Sequence, residues 1–170
     1  MLCTPNHVIV KIITRERVYT WLEEVKDPEI PVLSLVDLGV ITGVHVHEST
    51  VEVEMTPTFV GCPALEIMKQ EVADVLKKHG AEHVNVNVSF REPWSSDKIS
   101  EKGRMALERF GLAPPPSGPI INDIDVLEYA TCPRCHRRNT EVRNLFGPTL
   151  CRSIHYCLDC REAFEQFKPL

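Results

Sequence analysis

The sequence predicts an α+β protein, a small mixed three-stranded sheet with helices packed on it, followed by a C-terminal zinc ribbon. Two alternating apolar runs flank a short acidic turn, an amphipathic helical stretch follows and leads into a third alternating run, and two cysteine pairs close the chain. Those pairs, Cys132-x-x-Cys135 and Cys157-x-x-Cys160, are separated by 21 residues. Two tight turns that each present two thiolates at one point meet the tetrahedral preference of Zn²⁺. The gap is one residue beyond the usual range, and a hairpin absorbs that without strain.

The first helix starts at Thr14, whose hydroxyl can cap it, and carries Val18, Trp21, Leu22 and Val25 at i, i+3, i+4 and i+7. It ends before Asp27-Pro28, because proline disfavours helix at the residue ahead of it. A proline-bracketed turn then enters a mostly apolar loop ending at Gly39. Strands are predicted over 40–47 and 51–55, joined by Glu48-Ser49-Thr50. A helix over 63–79 has Leu65, Met68, Val72, Val75 and Leu76 as its apolar stripe, with Pro63 suited to the first turn and Gly80 to the stop. Val84, Val86 and Val88 alternate in a strand over 83–90, and the crossover places that strand parallel to its predecessor. A last helix over 96–110 is expected to pack Ile99, Met105 or Ala106, and Phe110, with Gly111 closing it.

Domain organisation follows from size and composition. A tail of about forty residues cannot bury enough apolar surface to fold alone, and a metal supplies what burial does not. The expected division is an α+β domain over 1–112, a proline-rich linker over 113–127 and the ribbon over 128–170. Charge and hydropathy narrow the function classes. A net charge of −5 argues against a nucleic-acid surface as the main role. No stretch reaches the roughly 20 apolar residues of a membrane span, and the first residues lack the pattern of a secretory signal. Seven cysteines, four of them in metal spacing, fit a reducing, cytoplasmic compartment.

The candidate chemistry lies where the second strand meets the 63–79 helix. Cys62 falls beside the expected helix N-cap, where unpaired N–H groups and the helix dipole favour a thiolate. It is a candidate nucleophile or metal ligand; the alternative is a small buried cysteine filling space under the loop. Cys151 reads as hairpin filler, or as a replacement for Cys157 in the clamp, and Cys3 lies in the terminus. His45 and His47 share one strand face, as half of a metal site or as solvent-facing residues beside the acidic hairpin. His136 and His155 are expected at the surface. Asp27 and Glu29 occupy the proline-bracketed turn, as an acid–base pair or as acceptors for backbone donors.

Asp27-Pro28-Glu29-Ile30-Pro31, Ser34-Leu35-Val36-Asp37-Leu38-Gly39 and Thr56-Pro57-Thr58-Phe59-Val60-Gly61-Cys62-Pro63 resemble the signature of the iron–sulfur assembly domain family that includes SufT-like proteins. Together with Trp94-Ser95-Ser96-Asp97, Gly111-Leu112-Ala113-Pro114-Pro115, Phe146-Gly147-Pro148-Thr149-Leu150-Cys151 and Phe164-Glu165-Gln166-Phe167-Lys168, they make the chain similar to the PaaD (PaaJ) family. Members of that family are encoded with the phenylacetyl-CoA epoxidase of aerobic phenylacetate degradation. The resemblance implies an accessory or maturation role, with the reductase or the di-iron oxygenase subunit as partner. The chain itself lacks the Glu-x-x-His pattern of a di-iron bundle and the Gly-x-Gly-x-x-Gly cofactor loop.

On this resemblance Cys62 is a transient ligand for iron or an iron–sulfur cluster, with Asp27 and Glu29 shaping the site and further ligands coming from a second protomer or the recipient. Cys132, Cys135, Cys157 and Cys160 hold a structural ion, zinc or iron. The competing implication is a non-catalytic structural subunit of the oxygenase complex with Cys62 merely packed.

Overall fold

The computed structural model describes residues 12–116 and 130–169. Its first helix, α1 (Arg15–Leu22), is capped by Thr14, whose hydroxyl accepts the Arg17 N–H, and it buries Val18, Trp21 and Leu22. Strands β1 (Lys26–Asp27) and β2 (Ile30–Ser34) pair antiparallel where the sequence suggested an irregular apolar loop. The two prolines mask this hairpin in the sequence, because proline removes ladder donors and reads as a strand breaker.

The predicted three-stranded sheet is present with β3 (Ile41–His47), β4 (Thr50–Met55) and β5 (His83–Val88) in the order β3-β4-β5. β3 and β4 are antiparallel, whereas β4 and β5 are parallel with Val51 opposite Val84 and Val53 opposite Val86. The intervening helix α2 (Leu65–Lys78) buries Met68, Val72 and Leu76 against the sheet side, with Leu65 and Val75 half-buried beside them. Glu24 ties α1 to the end of α2 by accepting from Lys78 at 3.1 Å and meeting His79 at 2.6 Å, while Trp21 stacks on the His79 ring.

The helix expected over 96–110 divides into a short 3₁₀ turn (Ser96–Lys98) and α3 (Glu101–Phe110). Its break is chemical. Ser100 caps α3 through the Gly103 N–H at 2.9 Å, and it also donates its hydroxyl to Asp37 at 2.7 Å and its N–H to the Asp37 carbonyl. The buried face is therefore Ile99, Gly103 and Leu107, and the expected packing of Met105 and Phe110 is corrected, since both are exposed. Gly103 sets that face by close approach: a Cβ there would lie 2.8 Å from the Asp37 carbonyl oxygen.

A second sheet comprises β6 (Leu112–Ala113), β7 (Thr140–Asn144), β8 (Arg152–Cys157) and β9 (Ala163–Phe167) in the order β6-β9-β8-β7. β6, which follows α3 directly, pairs parallel to β9 of the ribbon. The boundary drawn at residue 112 thus runs through a strand of this sheet, and residues 117–127 of the expected linker lie outside the described residues. Phe167 of β9 and Leu112 belong to the main core, where Phe167 meets Trp94 with ring centroids 5.8 Å apart. A Phe side chain buried there contributes about 2 kcal/mol or more. Among the described residues no helix is long and apolar enough to cross a membrane.

Candidate functional site

Two places concentrate cysteine. The first is the clamp at one end of the ribbon. Each Cys-x-x-Cys turn closes the same way: the His136 N–H donates to the Cys132 carbonyl and the Arg161 N–H to the Cys157 carbonyl, both at 2.9 Å. His136 and Arg161, each one residue past a pair, take positive φ angles of 59° and 61°. The chain reverses there, so that both sulfurs of a pair face inward.

The four sulfurs of Cys132, Cys135, Cys157 and Cys160 lie within 4.8 Å of one another. Across the clamp, Cys132 to Cys160 is 3.7 Å and Cys135 to Cys157 is 3.5 Å. A tetrahedron with metal–sulfur bonds of about 2.3 Å has edges of about 3.8 Å, so the donor set fits a Zn²⁺-sized ion with little adjustment. Four thiols this close cannot all ionise by themselves. The Cys160 backbone N–H and neighbouring donors hold Cys157 down to about 7, while burial and the other sulfurs push Cys160 up to about 12. A dication at the centre makes four thiolates mutually compatible. Cys151 is not part of this cluster, so its reading as a substitute for Cys157 is corrected. His155 is corrected too: it is fully buried, with its Nε2 2.9 Å from the Ser153 hydroxyl, whereas His136 is exposed and meets Glu108 at 3.0 Å.

The second place is Cys62. Helix α2 begins at Leu65 with Ala64 as its N-cap, so Cys62 stands two residues ahead of the cap instead of at or beside it. Its sulfur is half-buried and packs against the main core. Burial pushes the thiol above its ordinary value; the Ala64 N–H opposes this, and the charges of Asp27 and Glu29 add to it. Burial and the neighbouring carboxylates thus disfavour the thiolate that the helix N-terminus is expected to favour.

Glu29 and Cys62 line one cavity of about 350 Å³. Asp27 is not in its lining. Its Oδ1 accepts the backbone N–H groups of Glu29 and Ile30, both at 2.9 Å, so it shapes the turn that presents Glu29. Burial raises its pKa above the ordinary carboxylate value despite those donors. His45 and His47 are both exposed on β3, and among the described residues they join no group of three or more metal-ligating side chains. Cys3 lies outside the described residues.

The opposite wall of the cavity comes from the ribbon, through Gly147, Thr149, Leu150 and Cys151. Sequence reasoning missed this wall. Its only signal is Cys151, one of three cysteines outside the two pairs, preceded by Gly147-Pro148. Arg152 locks the wall in place: one guanidinium nitrogen donates to the Glu29 carbonyl and another to the Glu165 carboxylate, each at 3.0 Å.

Fold and donor set define an α+β iron–sulfur-assembly-type domain carrying a four-cysteine zinc ribbon. Family models match in the same order: "Iron-sulfur cluster assembly protein" over residues 15–90 and "PaaD zinc beta ribbon domain" over residues 120–168. A protein of Escherichia coli described as one component of a "Putative 1,2-phenylacetyl-CoA epoxidase" is 30% identical over 89% of this chain and 90% of its own length. The chain belongs to the PaaD family. An "Fe-S protein maturation auxiliary factor" of Porphyromonas gingivalis is 35% identical over 55% of the chain and 90% of its own length. The crystal structure of a DUF59 domain from Bacillus anthracis, 32% identical, superposes with a TM-score of 0.52 over 54% of this chain and 89% of that one.

Proposed function

We propose that this chain is an accessory maturation factor of a phenylacetyl-CoA epoxidase system, assisting delivery of iron or an iron–sulfur cluster to the reductase or the di-iron oxygenase subunit. The observation that carries the reading is Cys62, a thiol outside the ribbon clamp, opening into a cavity that also holds Glu29. Support comes from relatives whose descriptions name an epoxidase component in one case and iron–sulfur maturation in the other. The modules divide the work, with the α+β domain over 1–112 receiving cargo and the ribbon over 128–170 holding a structural zinc ion through Cys132, Cys135, Cys157 and Cys160.

Capture replaces the Cys62 S–H bond with an S–Fe bond and releases the proton to Glu29 or water. Delivery is the reverse exchange, in which a recipient thiolate takes the iron and Cys62 is reprotonated. A raised thiol pKa suits release, since a basic sulfur gains a proton readily once a competing ligand arrives. Asp27 acts indirectly, by holding the turn that presents Glu29.

The experiment is cellular: Cys62→Ser at normal expression, followed by iron and sulfide analysis of the purified reductase and iron analysis of the purified oxygenase subunit. Metal content of one of them should fall several-fold. Unchanged content in both sinks the reading. A second reading, a structural subunit that only binds the oxygenase, is favoured by the apolar rim beside the cavity, where Val60 is 77% and Phe146 63% exposed. It predicts a stable stoichiometric complex that is insensitive to Cys62→Ser.

A further inference from the structure

The cavity at Cys62 is bounded by two modules that the chain need not have brought together. Glu29 and Cys62 stand on one wall, Thr149 and Cys151 on the other. Cys151 is half-buried, takes no part in the ribbon clamp, and has its sulfur 3.1 Å from the Thr149 hydroxyl. Its backbone is fixed as well, because the Lys168 N–H donates to its carbonyl at 2.8 Å. The next residue, Arg152, reaches back across the interface to the Glu29 carbonyl. Cys151 is therefore held by hydrogen bonds at the inter-module contact.

Both cysteines line the same cavity, Cys151 raises the pKa of Cys62, and Asp27 and Glu29 act on both. Negative charge and soft donors around one cavity oppose free thiolates and favour a bound cation. A single thiolate holds iron poorly, whereas two on opposite walls form a chelate.

We propose that Cys151 is a second protein ligand for the cargo of Cys62, so that the site is a two-sulfur chelate for a thiophilic divalent cation such as ferrous iron, completed only when the ribbon is docked. This rests on the reading of Cys62 as a cargo ligand. It gives the ribbon a part in the chemistry: one end clamps its own ion, and its β7–β8 loop closes the exchange site. Binding replaces the S–H protons of Cys62 and Cys151 with two S–metal bonds and releases both protons to solvent. No electron is exchanged.

The test uses the full chain, anaerobic, loaded with one equivalent of zinc, which the four-thiolate clamp takes first, and then titrated with cobalt(II) as probe. The expected result is a thiolate-to-cobalt absorption band in the unmodified protein. It should fall by about half, with binding weakened about tenfold or more, in either Cys62→Ser or Cys151→Ser, and vanish in the double variant. A Cys151→Ser protein with the unmodified band and midpoint overturns the proposal while leaving Cys62 as a cargo ligand. Loss of the band on neither substitution, or no band at all, overturns the Cys62 reading as well. A measurement on the unmodified chain guards against misfolded variants: cobalt should protect both Cys62 and Cys151 from iodoacetamide, and protection of Cys62 alone overturns the chelate.

Discussion

Arg152 of the ribbon donates to the main-chain carbonyl of Glu29 at 3.0 Å, across 123 positions of sequence. The same guanidinium pairs with Glu165 on the adjacent strand, so one buried cation joins the ribbon sheet to the turn beneath Cys62. A planar fork reaches the two acceptors through two separate nitrogens held in fixed directions, whereas an ammonium offers a single nitrogen.

Substituting Arg152 tests that joint. Arg152→Ala leaves a partly buried carboxylate without its cation and should destabilise the protein by on the order of 3 kcal/mol in denaturant unfolding. Arg152→Lys should recover only part of the loss. Alkylation of Cys151 should accelerate in both variants as the cavity wall loosens. A wild-type unfolding midpoint in Arg152→Ala would show that the contact carries no weight.

Removing the ribbon metal should be felt beyond the ribbon. Phe167 is part of the main core, so unfolding of the clamp withdraws an aromatic side chain from under Trp94. Treatment with a strong chelator, or Cys157→Ser, should remove one metal equivalent per chain and lower the melting temperature by about 10 °C or more. Native mass spectrometry and calorimetry read the two effects. An unchanged melting transition after full metal loss contradicts this coupling.

Cys62 should titrate late. Burial, with the charge of Asp27 assisting, raises its folded pKa, so the thiol form prevails at neutral pH and the thiolate appears only as pH rises past the ordinary cysteine range of about 8.5 to 9. The iodoacetamide rate at Cys62, followed by peptide mass spectrometry, should be low at pH 7 and climb above pH 9. Asp27→Asn removes one of the raising charges, keeps an oxygen for the Glu29 and Ile30 N–H groups, and should move the profile downward. A midpoint below the ordinary range in the unmodified protein would refute the assignment.

Asp37 should contribute stability that acid removes. Burial alone would raise its pKa, but hydrogen bonds from Ser100 and Ser34 and the Lys102 ammonium outweigh that and lower it. A depressed carboxylate pKa stabilises the fold above the unfolded value of about 3.9, and the contribution is lost as pH falls through the lower folded value. Asp37→Asn should therefore cost about 2 kcal/mol at pH 7 and progressively less below pH 4. Equal cost at both pH values would remove the charge from the explanation.

Legibility in the sequence tracked how local each signal was. The α2 stripe and the Val84-Val86-Val88 alternation are short-range periodicities, and they led to the correct helix, strand and parallel pairing. The two Cys-x-x-Cys turns are equally local, and the sulfurs converge as their spacing implied. The face of α3 was misjudged because Gly103 has no side chain to announce a contact, although a Cβ there would lie 2.8 Å from the Asp37 carbonyl oxygen. The β1–β2 hairpin was hidden by the prolines that frame it.

The α+β core and the four-sulfur clamp are written in spacings of a few residues, and the chain's letters suffice to read them. Three other properties emerge only once the chain is folded: the ribbon docks on the core through Phe167 and Arg152, burial raises the pKa of Cys62, and Cys151 shares its cavity. These depend on burial and on contacts between residues far apart in the sequence, and neither leaves a periodic trace in the chain.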